Sequence, residues 1–536
     1  MVCSSTRGRG RRSTAMAQSL WLAGVHVLLH LSGCGPADKP PAVLAPGSSA
    51  AQPAAAVAAD EPRIRQFCGN CHAMPHPDSF PRDRWYEEVR RGFDFYFQSE
   101  RTDLPLPAQT EVVAYFRERA PEQLAWEPES FQSTPSPVRF DRRNLWVMDD
   151  PRQVPAVSYL APHSSGDEPA LWVSDMRNGN ISLLAANGSR VLRRIEAARH
   201  PVTVWPCDLN GNGRTDLVVA DLGSFLPEDH QRGRLLWLPD GARDPEVRPV
   251  MLLAQVGRVA DVRSADFDTD GDEDLVVAEF GWHRTGGIHV VWNDGVAATA
   301  EGLAWRSEVV DGRPGTIHVP PIDLNGDGRM DFIALISQEH ETVVAFLNRP
   351  AGFEKVVLYA APDPSYGSSG IELCDVDQDG DIDVLYTNGD TFDSELLKPY
   401  HAIRWLVNEG SYPFREQVLA TMPGVHRALP ADMDGDRDLD IVACALVPQK
   451  QRDSTVGGVV LEGVIWLEQT ASGRFERHPL STGAPVHAAL WVGDLDNDGD
   501  HDILTGGFYE EEESEGKTPA VIWFENQGAS PAASER

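Results

Sequence analysis

From residue 217 onward, short apolar runs return at nearly even intervals between polar turns. Leu217–Ala220, Leu275–Ala278, Phe332–Leu335, Val384–Tyr386, Ile441–Ala443 and Ile503–Leu504 have strand length rather than helix length. A second run follows each of them, often with Trp: Leu235–Trp237, Ile288–Trp292, Val343–Leu347, Ile403–Trp405, Val464–Trp466 and Val521–Trp523. A third is seen in Phe353–Leu358 and Phe414–Leu419. With one strand placed before each first run, the pattern predicts four strands per repeat, the content of one propeller blade. Leu171–Asp175 aligns with Leu217–Asp221 and marks a further blade, in which His163–Glu168 replaces the polar turn seen elsewhere. Val138–Phe140 resembles the start of a last strand. Residues near 137–147 are therefore expected to pair into the final blade and close a seven-membered ring, because an open ring leaves sheet edges unpaired.

The polar turns ahead of the first runs carry the chemistry. Six of them repeat nine residues with an oxygen side chain at positions one, three, five and nine. These are Asp208, Asn210, Asn212 and Asp216; Asp266, Asp268, Asp270 and Asp274; Asp323, Asn325, Asp327 and Asp331; Asp375, Asp377, Asp379 and Asp383; Asp432, Asp434, Asp436 and Asp440; and Asp494, Asp496, Asp498 and Asp502. Alternate oxygens around a tight turn suit a hard cation such as Ca²⁺. Position six is Gly213, Gly271, Gly328, Gly380 and Gly499, which lets the backbone turn through positive φ. The fifth loop has Arg437 there and is the weakest of the six. The first positions lie 58, 57, 52, 57 and 62 residues apart, a period that belongs to solenoids, propellers or arrays. The loops resemble the FG-GAP or VCBS type of repeat known from the integrin α-subunit propeller. That resemblance, over residues 137–528, implies a propeller and calcium binding, and no single activity.

Ahead of the propeller stands Cys68-Gly-Asn-Cys71-His72, the C-x-x-C-H arrangement in which two thiols attach haem and the adjacent His ligates iron. Two alternatives stay open. A redox dithiol belongs in a thioredoxin-like βαβ context, and none is visible. Half a zinc site needs a second cysteine pair, and the next cysteine is Cys207. Helices are predicted over Glu61–Phe67, over Asp83–Arg91, and over Glu111–Arg119 with Thr110 as its cap. Residues 61–122 resemble a cytochrome c domain in the motif and the terminal helix. The resemblance implies a distal methionine well after the motif, yet residues 77–147 contain neither Met nor His. The sixth position is then open, filled by Tyr or water, or filled from elsewhere, with Met148 and a propeller histidine as candidates. The expected fold is mainly β: a seven-bladed β-propeller preceded by a small all-α cytochrome c-like domain, joined by a linker over 123–136.

Residues 1–33 read as an export signal. Arg7, Arg9, Arg11 and Arg12 precede a short apolar stretch from Leu20 to Leu31. Its end, Leu31-Ser-Gly-Cys34, resembles a bacterial lipoprotein signal, which implies acylation of Cys34 and a place in the cell envelope. An ordinary signal peptide with a chance cysteine is the alternative. Residues 34–60, rich in Ala and Pro, read as a flexible tether, and 529–536 as a disordered tail. The net charge of −34, with 81 Asp and Glu against 47 Lys and Arg, argues against a nucleic-acid partner. Much of that charge lies in the six loops. Cys207, Cys374 and Cys444 are expected as buried filler.

Eight histidines fall in connections on the side of the propeller away from the loops: His230, His283, His340 and His401 between second and third strands, and His200, His318, His426 and His487 at blade openings. A metal, haem-docking or substrate site could draw on His230, His283, His340, His401, His426 and His487; polar loops tolerate histidine without any such role. The leading expectation is an electron carrier rather than an enzyme, with covalent haem c and about six Ca²⁺, exchanging electrons with a partner protein or small molecule. An oxidoreductase sited on the histidine-rich face and a cell-surface recognition protein are the alternatives.

Overall fold

The structure is a computed structural model. It describes residues 54–529 apart from 71, 99–100, 148–152, 164–168, 187, 189, 242, 244–246, 297–302, 393, 453–454, 457, 484 and 511–517. The signal, Cys34, most of the tether, Cys71, Met148 and residues 530–536 lie outside the described residues.

Among the described residues, seven antiparallel sheets of four or five strands follow one another along the chain, with second strands Ala170–Asp175, Asp216–Asp221, Asp274–Glu279, Asp331–Ile336, Asp383–Asn388, Asp440–Ala445 and Asp502–Gly507 defining blades 1 to 7. All seven are buried along their whole length. Covered on both faces, they read as unbroken apolar runs rather than alternating ones. The first strands lie innermost, each against the next, and that of blade 7 touches that of blade 1. Blades pack through aromatic and branched side chains. In blade 4, Phe332 stacks on Phe346 at 4.5 Å, and Phe267 of blade 3 meets Phe332 edge-on at 6.1 Å. The first strand of blade 4 is split into Thr316–His318 and Pro321–Ile322, which both pair with Asp331–Ile336. Pro320 and Pro321 fall at the break, where they have no N–H to give the ladder.

Blade 7 is completed from the other end of the chain. Val138–Leu145 runs antiparallel to Val521–Ala529, with Leu145 opposite Val521 and Trp523 opposite Arg143. The sheet order puts Val138–Leu145 at the outer edge, so the ring closes through backbone hydrogen bonds between its two ends.

Three helices precede the ring: α1 (Ala54–Cys68), α2 (Trp85–Gln98) and α3 (Gln109–Arg119). α1 begins inside the segment expected as tether, because its alanines favour helix. α2 runs past Arg91 because Phe93 and Tyr96 continue its apolar face beyond Gly92. Thr110 lies within α3 rather than capping it; the Glu111 carboxylate instead accepts the Ala108 N–H at 3.3 Å. Trp85 stacks on Phe116 at 4.0 Å, and Ile64, Phe67, Val89, Phe93 and Val112 complete a separate small core. The segment leading to blade 7 is held against blade 6: Trp126 packs on Val447, Val456 and Leu461, and the Thr134 N–H donates to the Arg477 carbonyl at 2.9 Å. No helix among the described residues is long and apolar enough to cross a membrane.

Candidate functional site

The six loops join first to second strands and share one hydrogen-bond plan. In five of them the position-one carboxylate accepts the N–H groups of positions five and six; for Asp266 these are Asp270 at 3.2 Å and Gly271 at 3.0 Å. The position-five side chain accepts the N–H of position seven in all six, as Asp270 does from Asp272 at 2.9 Å. The position-nine carboxylate is buried. One of its oxygens accepts the N–H of position two, and the other an N–H just past the third strand's apolar run: Asp274 takes Phe267 at 3.1 Å and Asn293 at 2.7 Å. Backbone donors thus hold the side chains of positions one, five and nine in place around the turn.

Oxygens from positions one, three and nine of the loops at Asp266, Asp375 and Asp432, and from positions one, three and five at Asp494, come within 4.8 Å of one another. Gathering carboxylates this way is unfavourable without a counter-charge. Burial first, and neighbouring aspartates after it, push Asp274 and Asp440 up to about 7 and Asp383 and Asp502 up to about 6. Asp377 also has a buried Oδ1 with no hydrogen-bond partner. An all-oxygen donor set around a pre-folded turn fits Ca²⁺.

The loop backbone turns through positive φ twice. Position six lies at +76 to +100°, and Arg437 takes the same conformation at +82°. There the Asp432 carboxylate accepts the N–H groups of Gly435 and Arg437, positions four and six, instead of five and six. A non-glycine residue in that region is strained by about 1–2 kcal/mol. Arg437→Gly is therefore expected to raise unfolding stability by about 0.5–1 kcal/mol, after the greater freedom of glycine in the unfolded chain is offset. Urea unfolding of the two proteins measures it; an unchanged or lower midpoint would refute it. Position four is left-handed too, at Gly211, Thr269, Gly326, Gln378, Gly435 and Asn497, which spacing alone did not indicate.

Sequence reasoning also missed the residue that ties blade to blade. Asn293 donates from its side chain to the Glu273 carbonyl at 3.2 Å and to the Leu209 carbonyl in the loop of blade 2 at 3.1 Å. Asn348 reaches Phe267, Gln469 reaches Val376 and Asn526 reaches Met433 in the same way. An Asn or Gln one to three residues past an aromatic of the third strand was the available signal.

The C-x-x-C-H segment begins at the end of α1. Cys68 packs against the small helical core, and burial pushes its thiol up to about 11. A thiol held protonated is a poor redox nucleophile, whereas a neutral thioether suits that apolar wall. The His72 Nδ1 meets the Ala73 carbonyl at 2.7 Å. A carbonyl only accepts, so Nδ1 is the donor in that contact, and Nε2 is the ring nitrogen that could face a metal. Beside the motif opens a cavity of about 340 Å³, with Met74 and Tyr115 among its walls and Arg65 and Arg119 at its rim.

The helices sit on the ring's histidine-bearing connections. The His76 N–H and the Ser79 hydroxyl both donate to Asp363 Oδ2, at 2.5 and 2.6 Å. Arg84 donates to the Ser394 carbonyl at 3.0 Å, and Arg284 to the Gln98 carbonyl at 3.1 Å. Lys398, 2% exposed, sets its ammonium 4.7 Å from the Phe80 ring.

The eight histidines do not converge. Among the described residues, no group of three metal-binding side chains includes any of them. His230 contacts the Ser224 hydroxyl at 2.8 Å, His200 the Met176 carbonyl at 2.8 Å, and His283 lies 4.7 Å from Phe95. His401 and His487 are fully buried. His318 sits 2.7 Å from Arg427 and 3.6 Å from Asp261. A separate group, Glu468, Glu476 and His478 on blade 6, comes within 4.8 Å, but His478 already meets Glu468 at 2.6 Å and the Thr134 carbonyl at 3.1 Å.

Burial holds His487 and His426 down to about 3 and His318 to about 4. The unfolded chain binds these protons below about pH 6.5 and the native chain does not. Their stability is thus fully present above pH 6.5 and lost as pH falls toward 3–4, by about 1.4 kcal/mol per pH unit for each group. His487→Gln is expected to flatten the pH dependence of urea unfolding in that window by one proton; an unchanged slope would show that His487 titrates normally.

An FG-GAP-like repeat family profile matches residues 266–334 and 323–386. No curated protein matches the chain. Among solved structures the chain is similar to one chain of the crystal structure of BBS1N in complex with ARL6DN, soaked with mercury, at a TM-score of 0.40 and 10% identity over 73% of this chain and 99% of that one. The protein carries FG-GAP-like repeats on a seven-bladed β-propeller.

Proposed function

We propose that the chain is an extracytoplasmic c-type haem protein, held to the bacterial cell envelope through Cys34, that exchanges electrons with a redox partner. The propeller serves as scaffold and docking surface, with Ca²⁺ held by the oxygens of its six loops. The observation that supports this most is the His72 ring, whose Nδ1 is engaged by the Ala73 carbonyl beside a half-buried Cys68. Cys68 and Cys71 would hold the haem through thioethers, and His72 through Nε2. Haem, when attached, supplies one-electron redox chemistry. The helical core shields one side of the motif, and the contacts of His76, Ser79 and Arg84 fix it against the ring.

Produced in a host that matures c-type cytochromes, the full chain is expected to keep its haem through denaturation and to cycle between oxidised and reduced Soret spectra. Cys68→Ala with Cys71→Ala is expected to lose all covalent haem. A parent protein without Soret absorbance would remove the proposal. The FG-GAP-like repeats favour a second reading, a recognition scaffold; covalent haem that fails to cycle would select it over electron transfer.

A further inference from the structure

The outer two strands of blade 6, Glu462–Ala471 and Arg474–Thr482, run antiparallel with Glu468 directly opposite Glu476 and Trp466 opposite His478. Alternate residues of a strand share a face, so these four side chains stand on one side of the sheet. Like charges directly opposite each other weaken a sheet. Among the described residues, no Lys or Arg forms an ion pair with either glutamate; the only basic partner is the imidazole of His478.

That imidazole is held from its far side. His478, with a side chain 2% exposed, has Nδ1 at 3.1 Å from the Thr134 carbonyl and 3.2 Å from its hydroxyl. A carbonyl only accepts, so Nδ1 donates. Metal-bound histidines commonly give their second ring N–H to a backbone carbonyl in this way. Nε2, on the other side of the ring, lies 2.6 Å from Glu468 Oε2. Two acceptors do not meet at that distance without a positive centre between them. A lone proton there answers Glu468 and leaves Glu476 opposite it unbalanced; a divalent ion answers both.

One oxygen of each glutamate and one nitrogen of His478 lie within 4.8 Å of one another. Ligand atoms around tetrahedral Zn²⁺ stand about 3.3 Å apart. The exposed Glu476 reaches that spacing by turning its side chain. One imidazole and two carboxylates, with water from the open side as fourth ligand, make a nitrogen-containing set that favours Zn²⁺ over Ca²⁺.

We infer that Glu468, Glu476 and His478 form a Zn²⁺ site on blade 6, separate from the aspartate loops and independent of the haem reading. Thr134 lies four residues before Val138, where the closing strand of blade 7 begins. Trp466, whose ring is 4.8 Å from that of His478, also lies 6.4 Å from Phe140 of the closing strand. An ion that fixes His478 thereby pins the Thr134 backbone, and with it the segment entering the ring's seam, onto blade 6.

The test uses the full chain in excess Ca²⁺, so that the aspartate loops are filled, and titrates Zn²⁺ by calorimetry. The difference between parent and variant is the measure, because the cysteine motif also offers zinc ligands. His478→Gln is expected to lose one Zn²⁺ per chain. Removing even an outer partner of a metal ligand costs about 10- to 100-fold in affinity, so Glu476→Gln is expected to weaken that site by at least this factor. Zn²⁺ is also expected to raise the thermal midpoint of the parent more than that of Glu476→Gln. Glu476 is exposed, so its variant decides the matter if His478→Gln does not fold. A parent that takes up no Zn²⁺ in excess Ca²⁺ would overturn the inference, as would equal zinc affinity and stoichiometry in the parent and Glu476→Gln.

Discussion

Treatment with EGTA is expected to lower the thermal midpoint of this protein steeply, and returned Ca²⁺, but not Mg²⁺, to restore it. Four of the six loops draw together carboxylates that backbone N–H groups already hold in place. Without a cation the gathered oxygens repel, and the buried position-nine acids are pushed toward protonation. A ligand at 100 times its dissociation constant contributes about 2.7 kcal/mol per site, roughly 16 kcal/mol if six sites load independently. That exceeds the whole stability of many domains. Mg²⁺ is the control because it demands near-octahedral geometry and keeps its waters, whereas Ca²⁺ accepts six to eight oxygens in a flexible shell. Differential scanning calorimetry with and without chelator decides the matter. A midpoint indifferent to EGTA would leave the loops as acidic turns and remove Ca²⁺ from the proposal.

Asp274→Ala is expected to destabilise blade 3 far more than a surface aspartate change would, even in excess Ca²⁺. The side chain is fully buried, and its two oxygens accept the N–H groups of Phe267 and Asn293. Alanine leaves both donors buried and unpaired, at about 1–3 kcal/mol each, or about 2–6 kcal/mol together. Asn293 then loses the register from which its side chain reaches Leu209 of blade 2. Asp274→Asn separates the two roles of the residue. The amide keeps one acceptor for the backbone and gives up the charge, so it should lose less stability in EGTA than alanine does. Its loop should still bind Ca²⁺ more weakly, as read by calorimetric titration. Equal costs for the two variants in EGTA would show that charge, not hydrogen bonding, holds the loop.

The ring was legible because its signals are local and repeated. The oxygen spacing, the apolar run behind it and the period between copies all survive in one dimension, and Val138–Phe140 carried enough likeness to a last strand to indicate closure. What stayed hidden depends on partners far away in the chain. Asp363 and Lys398 look like ordinary loop residues until His76, Ser79 and Phe80 arrive from roughly three hundred positions earlier. Asn293 and its counterparts sit past apolar runs, where spacing gives no hint that the amide crosses to the next blade. His401 and His487 occupy connections that read as polar, yet the approach of neighbouring blades buries them. The start of α1 was misplaced because alanine-rich sequence serves tether and helix alike, and only packing distinguishes them.

The pairing of Leu145 with Val521 joins residues roughly 380 positions apart along the chain, about as non-local as a contact in this protein can be. A nascent polypeptide exposes the three N-terminal helices and that outer strand long before the strand's partner is made. Until residue 521 emerges, the segment that will seal the circle has nowhere to dock, and the C-x-x-C-H thiols stand ahead of an unsealed domain. Chemistry on those thiols and completion of the fold are thereby ordered in time by the direction of synthesis, and a chain cut short at either end forfeits the same seam.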